Sequence, residues 1–242
     1  MDLAAEPRGT ALAVLDWSGS IVTVDVRVGV TDAEIAATAP GVGKLGIDCA
    51  FGWPDDFVTF VTRHARGERV ELADDEGMAW RRRLAYRATD RATRAITGRW
   101  PLSVATDRLG LMAMHCAVLL DAVSDALGEP VDRSGAGTAV EVYPSATLRG
   151  WQFDTRGYKT DVGARRTLVS RLLDRAPWLG LDDAAEELVV ASDDAFDAVV
   201  AALAARAHAL GLTHPVPSGY QDQARREGWI ALPVGPLEDL AP

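Results

Sequence analysis

Carboxylates stand at three places in this chain where a charge is costly unless something meets it. The first is Asp48, in Gly46-Ile47-Asp48-Cys49-Ala50-Phe51-Gly52-Trp53-Pro54, where an apolar run ends on an acid before the chain turns into Asp55 and Asp56. The second is Glu141, in Glu141-Val142-Tyr143-Pro144, at the end of another apolar run. The third is Ser192-Asp193-Asp194-Ala195-Phe196-Asp197, the start of a long alanine-rich segment. A buried ionised group needs a cation or donors around it. The carboxyl ends of strands are also where open α/β sheets bind ligands. Acids gathered from two strand ends and one helix would suit a hard, oxygen-liganded metal ion.

Ser192 reads as an N-cap, with Asp193 and Asp194 in the first turn, where the helix dipole favours carboxylates. That accounts for both without any function. Asp197 is different, because it lies beyond the first turn among Phe196, Val199 and Val200. At about 100° per residue it shares a stripe with Ala201, Ala204 and the Asp193/Asp194 pair, and small residues there would let the helix lie close to a sheet. The spacing Asp194-x-x-Asp197 puts two carboxylates on neighbouring turns, able to face one ion. A solvent-side charge is the competing reading of Asp197, and the sequence leaves both open.

The elements that must position these acids follow from the hydrophobic pattern. Residues 10–17 and 21–28 are β-rich and flank Ser18-Gly19-Ser20, which predicts a hairpin. Thr31-Asp32-Ala33-Glu34 is a capping box opening a short helix to about residue 38. Residues 44–48 read as a buried strand and 54–66 as a helix with Phe57, Phe60, Val61 and His64 on one face. Residues 67–106 carry Arg81, Arg82, Arg83, Arg87, Arg91, Arg94 and Arg99 with little periodicity. They are expected to form an inserted, partly irregular region over the strand ends. The insertion extends to about residue 137 through a long helix over 107–127 and a Gly/Pro-containing loop. That helix reads as a core helix, because Asp121, Ser124 and Asp125 interrupt it and no apolar run reads as long enough for a bilayer. A strand over 139–143, a mixed region to about 190, a helix over 192–210 and a short strand over 228–232 complete the pattern.

Composition narrows the function classes. The chain has 242 residues, 48% of them hydrophobic and 25% charged, which suits one large folded α/β domain. The net charge of −10 provides no basic field for tight nonspecific binding of nucleic acid. A local arginine patch would still serve, since Lys44 and Lys159 are the only lysines and arginine suits bidentate contact with phosphate. Cys49 and Cys116 form no C-x-x-C pair, and no signal peptide opens the chain, so a reducing, cytoplasmic setting is expected. Gly41-x-Gly43-Lys44 is no phosphate loop, because no Ser or Thr follows the lysine. Gly135-Ala136-Gly137 reads as a turn. His64, His115 and His208 read as packing or surface residues, and Cys49 has no histidine placed to activate it. Trp53, at a strand end, is positioned to stack on a base.

Taken in order, the hairpin, the helix, the strand ending Gly46-Ile47-Asp48, the insertion, Glu141-Val142-Tyr143-Pro144 and Asp193-Asp194-x-x-Asp197-Ala198 resemble the DUF429 family. Tyr86-Arg87-Ala88-Thr89-Asp90 and Glu227-Gly228-Trp229-Ile230-Ala231-Leu232-Pro233 extend the resemblance over most of the chain. Members are described as predicted nucleases of RNase H-like fold. The resemblance implies a single RNase H-like domain over 1–242, a mixed sheet of antiparallel hairpin strands and parallel strands flanked by helices. It implies metal-dependent phosphodiester hydrolysis with Mg²⁺ or Mn²⁺, held by Asp2, Asp48, Asp194 and Asp197, with Glu141 a further ligand or a group supporting one. Nucleic acid or a nucleotide would be the partner, with no role for a membrane. Arg87, Thr89 and Asp90 would contact a substrate phosphate, although a structural Arg–Asp pair is the commoner use of such residues.

One departure stands out. Only Met1 precedes Asp2, so nearly all of the first strand, which the family places at the sheet centre, is absent. Two rows of backbone groups would then lose partners, and the natural start is expected upstream of the recorded one. Two other functions compete. A nucleotide-binding phosphotransferase of the same superfold, related to the sugar kinase and actin group, would use Ser18-Gly19-Ser20 as a thin phosphate loop. A non-catalytic regulatory or scaffold protein retaining the fold would suit the acidic charge and the shortened strand.

Overall fold

The structure is a computed structural model and describes residues 1–68 and 78–242. The first half contains β1 (Ala11–Asp16), β2 (Val22–Val28), α1 (Asp32–Thr38), β3 (Leu45–Ile47), α2 (Asp55–Ala65), α3 (Met78–Ala85), α4 (Ala88–Thr97) and α5 (Gly110–Leu127). The second half contains β4 (Ala139–Glu141), α6 (Pro144–Gly150), α7 (Val162–Arg175), β5 (Leu179–Gly180), α8 (Asp183–Ala191), α9 (Asp193–Ala209) and α10 (Gln221–Glu227).

The hairpin forms as its sequence predicts, with β1 antiparallel to β2 from Ala11↔Val28 to Asp16↔Thr23, and β5 adds in parallel to β2. β3 and β4 pair in parallel as a second sheet. Residues 1–3 join the two sheets. Asp2 bridges antiparallel to Ala11 and parallel to Asp48, and Ile230 bridges Glu141 on the far side of β4. Asp2 exchanges backbone hydrogen bonds of 2.9 and 3.0 Å with Ala11, and the Asp48 N–H donates to the Met1 carbonyl at 3.0 Å. Met1 and Leu3 are buried, and a cleft lined by Met1, by Leu12 to Trp17 and by Lys44 to Gly46 continues from this segment. The result is a mixed α/β fold, its parallel and antiparallel strands flanked by helices.

An unbroken apolar strand needs cover on both faces, and β1 has it. Ala11 and Ala13 pack into one core with α7, α8 and α9, while Leu12 packs into another with α1 and α5. The alanine stripe of α9 does what its small side chains allow. It lies so close to β3 that a Cβ on Gly46 would stand 2.4 Å from the Ala201 carbonyl oxygen. That contact fixes the start of α9 relative to the end of β3.

Three regions differ from the sequence reading. Residues 78–85 and 88–97 are helical rather than irregular. Their arginines mostly face solvent and the buried positions of α4 are Ala88, Thr89, Asp90 and Thr93, so no apolar stripe announces the helix. The part of that region over 69–77 lies outside the described residues. The mixed region resolves into α6, α7 and α8, and residues 228–232 contribute one bridge instead of a strand. Finally, α5 is not wholly a core helix. By length and hydropathy it is the one described helix apolar enough to cross a membrane. Its inner face buries Cys116, Leu119, Leu120 and Val123, whereas Leu111, Met114 and Val118 are exposed.

Candidate functional site

Four of the predicted acids meet where the two sheets join. Asp2 comes from the joining segment, Asp48 directly follows β3, and Asp194 and Asp197 come from the start of α9. The Asp2 carboxyl hydrogen-bonds to both Asp48 and Asp194, an arrangement of acids that requires a shared proton. Burial, followed by the charges of Asp48 and Asp197, pushes the Asp2 pKa up to about 9, with Lys159 working against them. Burial likewise pushes Asp48 up to about 7 against the pull of Lys159. Asp194 is raised, first by burial and then by Asp193.

Asp197 is fully buried and has its own partners. Tyr158 donates to it at 3.0 Å, and the Lys159 ammonium pairs with Oδ2. Burial raises the Asp197 pKa and Lys159 opposes that rise. For Lys159 burial acts to lower the pKa, and Asp197, Tyr158, Asp48 and Asp2 together outweigh it, so the ammonium stays charged. Tyr158 and Lys159 were not predicted as site residues. The signal available was that Lys159 is one of only two lysines in the chain. His115, read as packing, holds the turn after Asp2. Its ring nitrogens bond the Ala4 carbonyl at 2.8 Å and the Asp32 carboxylate at 2.8 Å.

Asp2, Asp48, Asp194 and Lys159 line a cleft of about 700 Å³, whose walls also carry Glu141, Arg87, Arg99, Arg108 and Arg149. Neither Thr89 nor Asp90 lines it, nor do Trp53 and the Ser18–Ser20 turn. Trp53 packs instead against Ala50, Val104 and Ala113. Cys49 does line the cleft, but the neighbouring Cys116 thiol and burial raise its pKa well above the usual thiol value. That disfavours the thiolate a nucleophile needs.

Glu141, in the cleft lining with Arg87, belongs to a second ionic cluster. Both of its oxygens accept from Arg87 at 2.8 Å, and Oε2 also accepts from the Phe51 N–H at 3.0 Å. Arg87 further bonds both oxygens of Asp90, and the Asp90 carboxylate caps α4 by accepting the Arg87 N–H at 2.9 Å. Burial acts to lower the Arg87 pKa, but Glu141 and Asp90 outweigh it. Thr89 accepts from the Ile230 N–H at 2.8 Å. These residues make the structural Arg–Asp arrangement, with Glu141 added. Glu227, whose part sequence reasoning missed, completes it by accepting the N–H groups of Asp55 and Ala88 at 2.8 and 2.7 Å. Gly228 has φ +87° and passes so close that a Cβ there would lie 2.4 Å from Glu141 Oε2.

Among the described residues no three His, Cys, Asp or Glu side chains stand together so as to hold a metal ion. Asp2, Asp48 and Asp194 share hydrogen bonds with one another, and Asp197 is held by Tyr158 and Lys159. The donor set itself is all carboxylate oxygen, the chemistry that Mg²⁺ and Mn²⁺ take. Its pKa values are raised first by burial and then by neighbouring carboxylates, a crowding that a dication would relieve. In donor chemistry the residues fit the ion.

A family model described as "Protein of unknown function (DUF429)" matches residues 1–222. No curated protein and no solved structure matches the chain.

Proposed function

The chain belongs to the DUF429 family, and from its cleft we propose a metal-dependent hydrolase of phosphodiester bonds on an RNase H-like fold. The observation that supports this reading is the charge imbalance at the sheet junction. Four acids face a single lysine, and the pKa values of Asp2 and Asp48 rise to about 9 and about 7. A cluster that served stability alone would gain nothing from such crowding, whereas functional sites concentrate perturbed carboxyls.

Asp2, Asp48 and Asp194 would hold Mg²⁺ or Mn²⁺, with Asp197 behind them. When bound, the metal supplies an activated water and charge stabilisation for the departing oxygen. The chain's own residues do the rest. Lys159 balances the carboxylates and fixes Asp197, Tyr158 holds the buried side of that carboxylate, and the cleft arginines attract an anionic substrate. The Arg87 cluster keeps the β4 end and α4 in place beside the cleft. With a net charge of −10, the protein is suited to short nucleic acids or nucleotides, whose phosphates meet those arginines locally.

Calorimetry with Mn²⁺ on the wild type and Asp48→Asn tests the reading. Micromolar binding lost in Asp48→Asn supports it, and should be followed by metal-dependent cleavage of a short single-stranded oligonucleotide. Absence of Mn²⁺ binding in the wild type would sink it.

A further inference from the structure

We propose that Arg149 is the phosphoryl-binding residue of this cleft. The proposal deepens the hydrolase reading and rests on it for the identity of the anion. Arg149 lies on α6, one turn after Ser145, and is half-buried in the cleft wall. Its Nη1 donates to the Ser145 hydroxyl at 2.5 Å and its guanidinium lies 5.8 Å from the Tyr143 ring centre. Its Nε is buried and has no hydrogen-bond partner. Among the described residues, no carboxylate comes within ion-pair distance of it.

The other inward-facing arginines show how unusual this is. Arg87 is saturated by Glu141 and Asp90, and Arg175 by Glu238 and the Trp151 carbonyl. Arg165 donates to three backbone carbonyls, those of Tyr158, Val190 and Ala191. Arg206 shares the orphaned Nε, but it stacks over Trp17 and lines a different cleft, away from the acids. Among the described arginines Arg149 alone combines an unused buried donor, a missing counter-ion and a place in the acid-lined cleft.

Two parts of the cleft lining therefore complement each other. Asp2, Asp48 and Asp194 crowd near one lysine, while Arg149 in the same lining has no carboxylate partner. A ligand answering both carries negative oxygens toward Arg149 and a bound cation toward the carboxylates. A phosphoryl group does so, because its oxygens match the fork of a guanidinium held in place by Ser145 and Tyr143. Arg99 and Arg108, exposed at the rim, add attraction without that fixed geometry.

The experiment titrates inorganic phosphate, with acetate as the comparison anion, into metal-free protein by calorimetry. It uses the wild type, Arg149→Gln, Arg149→Lys and Arg156→Gln, the last an exposed arginine paired with Asp154 outside the cleft lining. Arg149→Gln should weaken phosphate binding by about tenfold or more, the scale of losing charge-assisted hydrogen bonds. Arg149→Lys should weaken it less, Arg156→Gln should leave it unchanged, and acetate should bind more weakly than phosphate. Equal phosphate affinity in wild type and Arg149→Gln would overturn the proposal, as would no phosphate binding by the wild type at millimolar concentration. If Arg149→Gln fails to fold, wild-type affinity in Arg149→Lys overturns it instead. Acetate binding as tightly as phosphate would overturn the assignment to a phosphoryl group. Mn²⁺ titration keeps the two ideas apart. Phosphate binding that depends on Arg149 in a protein that takes no Mn²⁺ would leave this subsite standing and remove the hydrolase reading.

Discussion

Two clusters of buried acids lie side by side at the strand ends, and they are built on opposite terms. Around Arg87, the oxygens of Glu141, Asp90 and Glu227 accept from the guanidinium, backbone N–H groups or the Gln223 amide. Around Lys159, one ammonium and one tyrosine hydroxyl hold Asp197, while Asp2, Asp48 and Asp194 bond to one another. The first cluster is closed by its own donors and ties α2, α4 and the β4 end together. The second leaves charge unanswered and opens to a cleft. Burying a carboxylate is thus no sign of chemistry by itself; the distinction lies in whether the fold supplies its donors.

The comparison can be broken at several points, beginning with the largest effect. Arg87→Met strands two buried carboxylates and should cost about 3–5 kcal/mol, read from urea unfolding midpoints. Lys159→Met should cost clearly less, because the lysine side chain is half exposed; equal losses would erase the contrast between the clusters. Next, Gly228→Ala should cost about 1–3 kcal/mol, since the new Cβ meets Glu141 Oε2 in a left-handed backbone. Gly46→Ala should cost a similar amount by forcing β3 from α9, and should also weaken Mn²⁺ binding by moving Asp48 relative to Asp194. A melt unchanged by either substitution would show that the close approach has slack.

The third effect is on pH. A carboxyl whose folded pKa lies above its unfolded value holds its proton more tightly when folded. The resulting stability is complete below the unfolded pKa and is lost as the pH rises through the folded one. For Asp2 the window runs from 3.8 to about 9, and for Asp48 from 3.8 to about 7. The buried Met1 ammonium, lowered by burial from 8.0 to about 6, acts in the opposite sense between those values. Metal-free stability should therefore fall most visibly between about pH 4 and 6 and again above 8, and Asp2→Asn should flatten the curve. Mn²⁺ should raise the melting temperature more at pH 8.5 than at pH 5.5. The smallest effect sharpens the point: Asp48→Asn should stabilise the metal-free protein at pH 8 by about 1 kcal/mol, as relief of carboxylate crowding does. A destabilised Asp48→Asn would mean that this carboxylate is needed for folding and belongs with the Arg87 cluster.

The sequence reveals the frame well where one period dominates. The hairpin around Ser18-Gly19-Ser20, the Thr31 capping box and the Ser192 cap each appear within a residue or so of the expected bounds. It fails at α4, whose buried face is alanine, threonine and one capped aspartate, because hydrophobicity is the signal being read. It also divides the acids only in part. Glu141 ends its strand much as Asp48 does, and nothing local tells that an arginine 54 residues earlier will take both its oxygens. Lys159 reaches Asp197 in the same non-local way, from a loop between α6 and α7. Long-range pairing is what distinguishes a structural acid from a reactive one, and a linear pattern does not carry it.

The meeting of Gly46 with Ala201 has a bearing on how this protein tolerates change. The backbone of β3 rests directly on α9 at Ala201 and Ala205, so side-chain atoms added at that contact would push apart the elements that carry Asp48 and Asp194. A scan of single substitutions should accordingly find a band of intolerance running down the alanine face of α9, well away from the cleft. Enlarging a methyl group there would shift the spacing of the carboxylates while leaving every acid of the cluster unchanged. In such a scan the smallest side chains of the helix should prove as constrained as the acids at its tip.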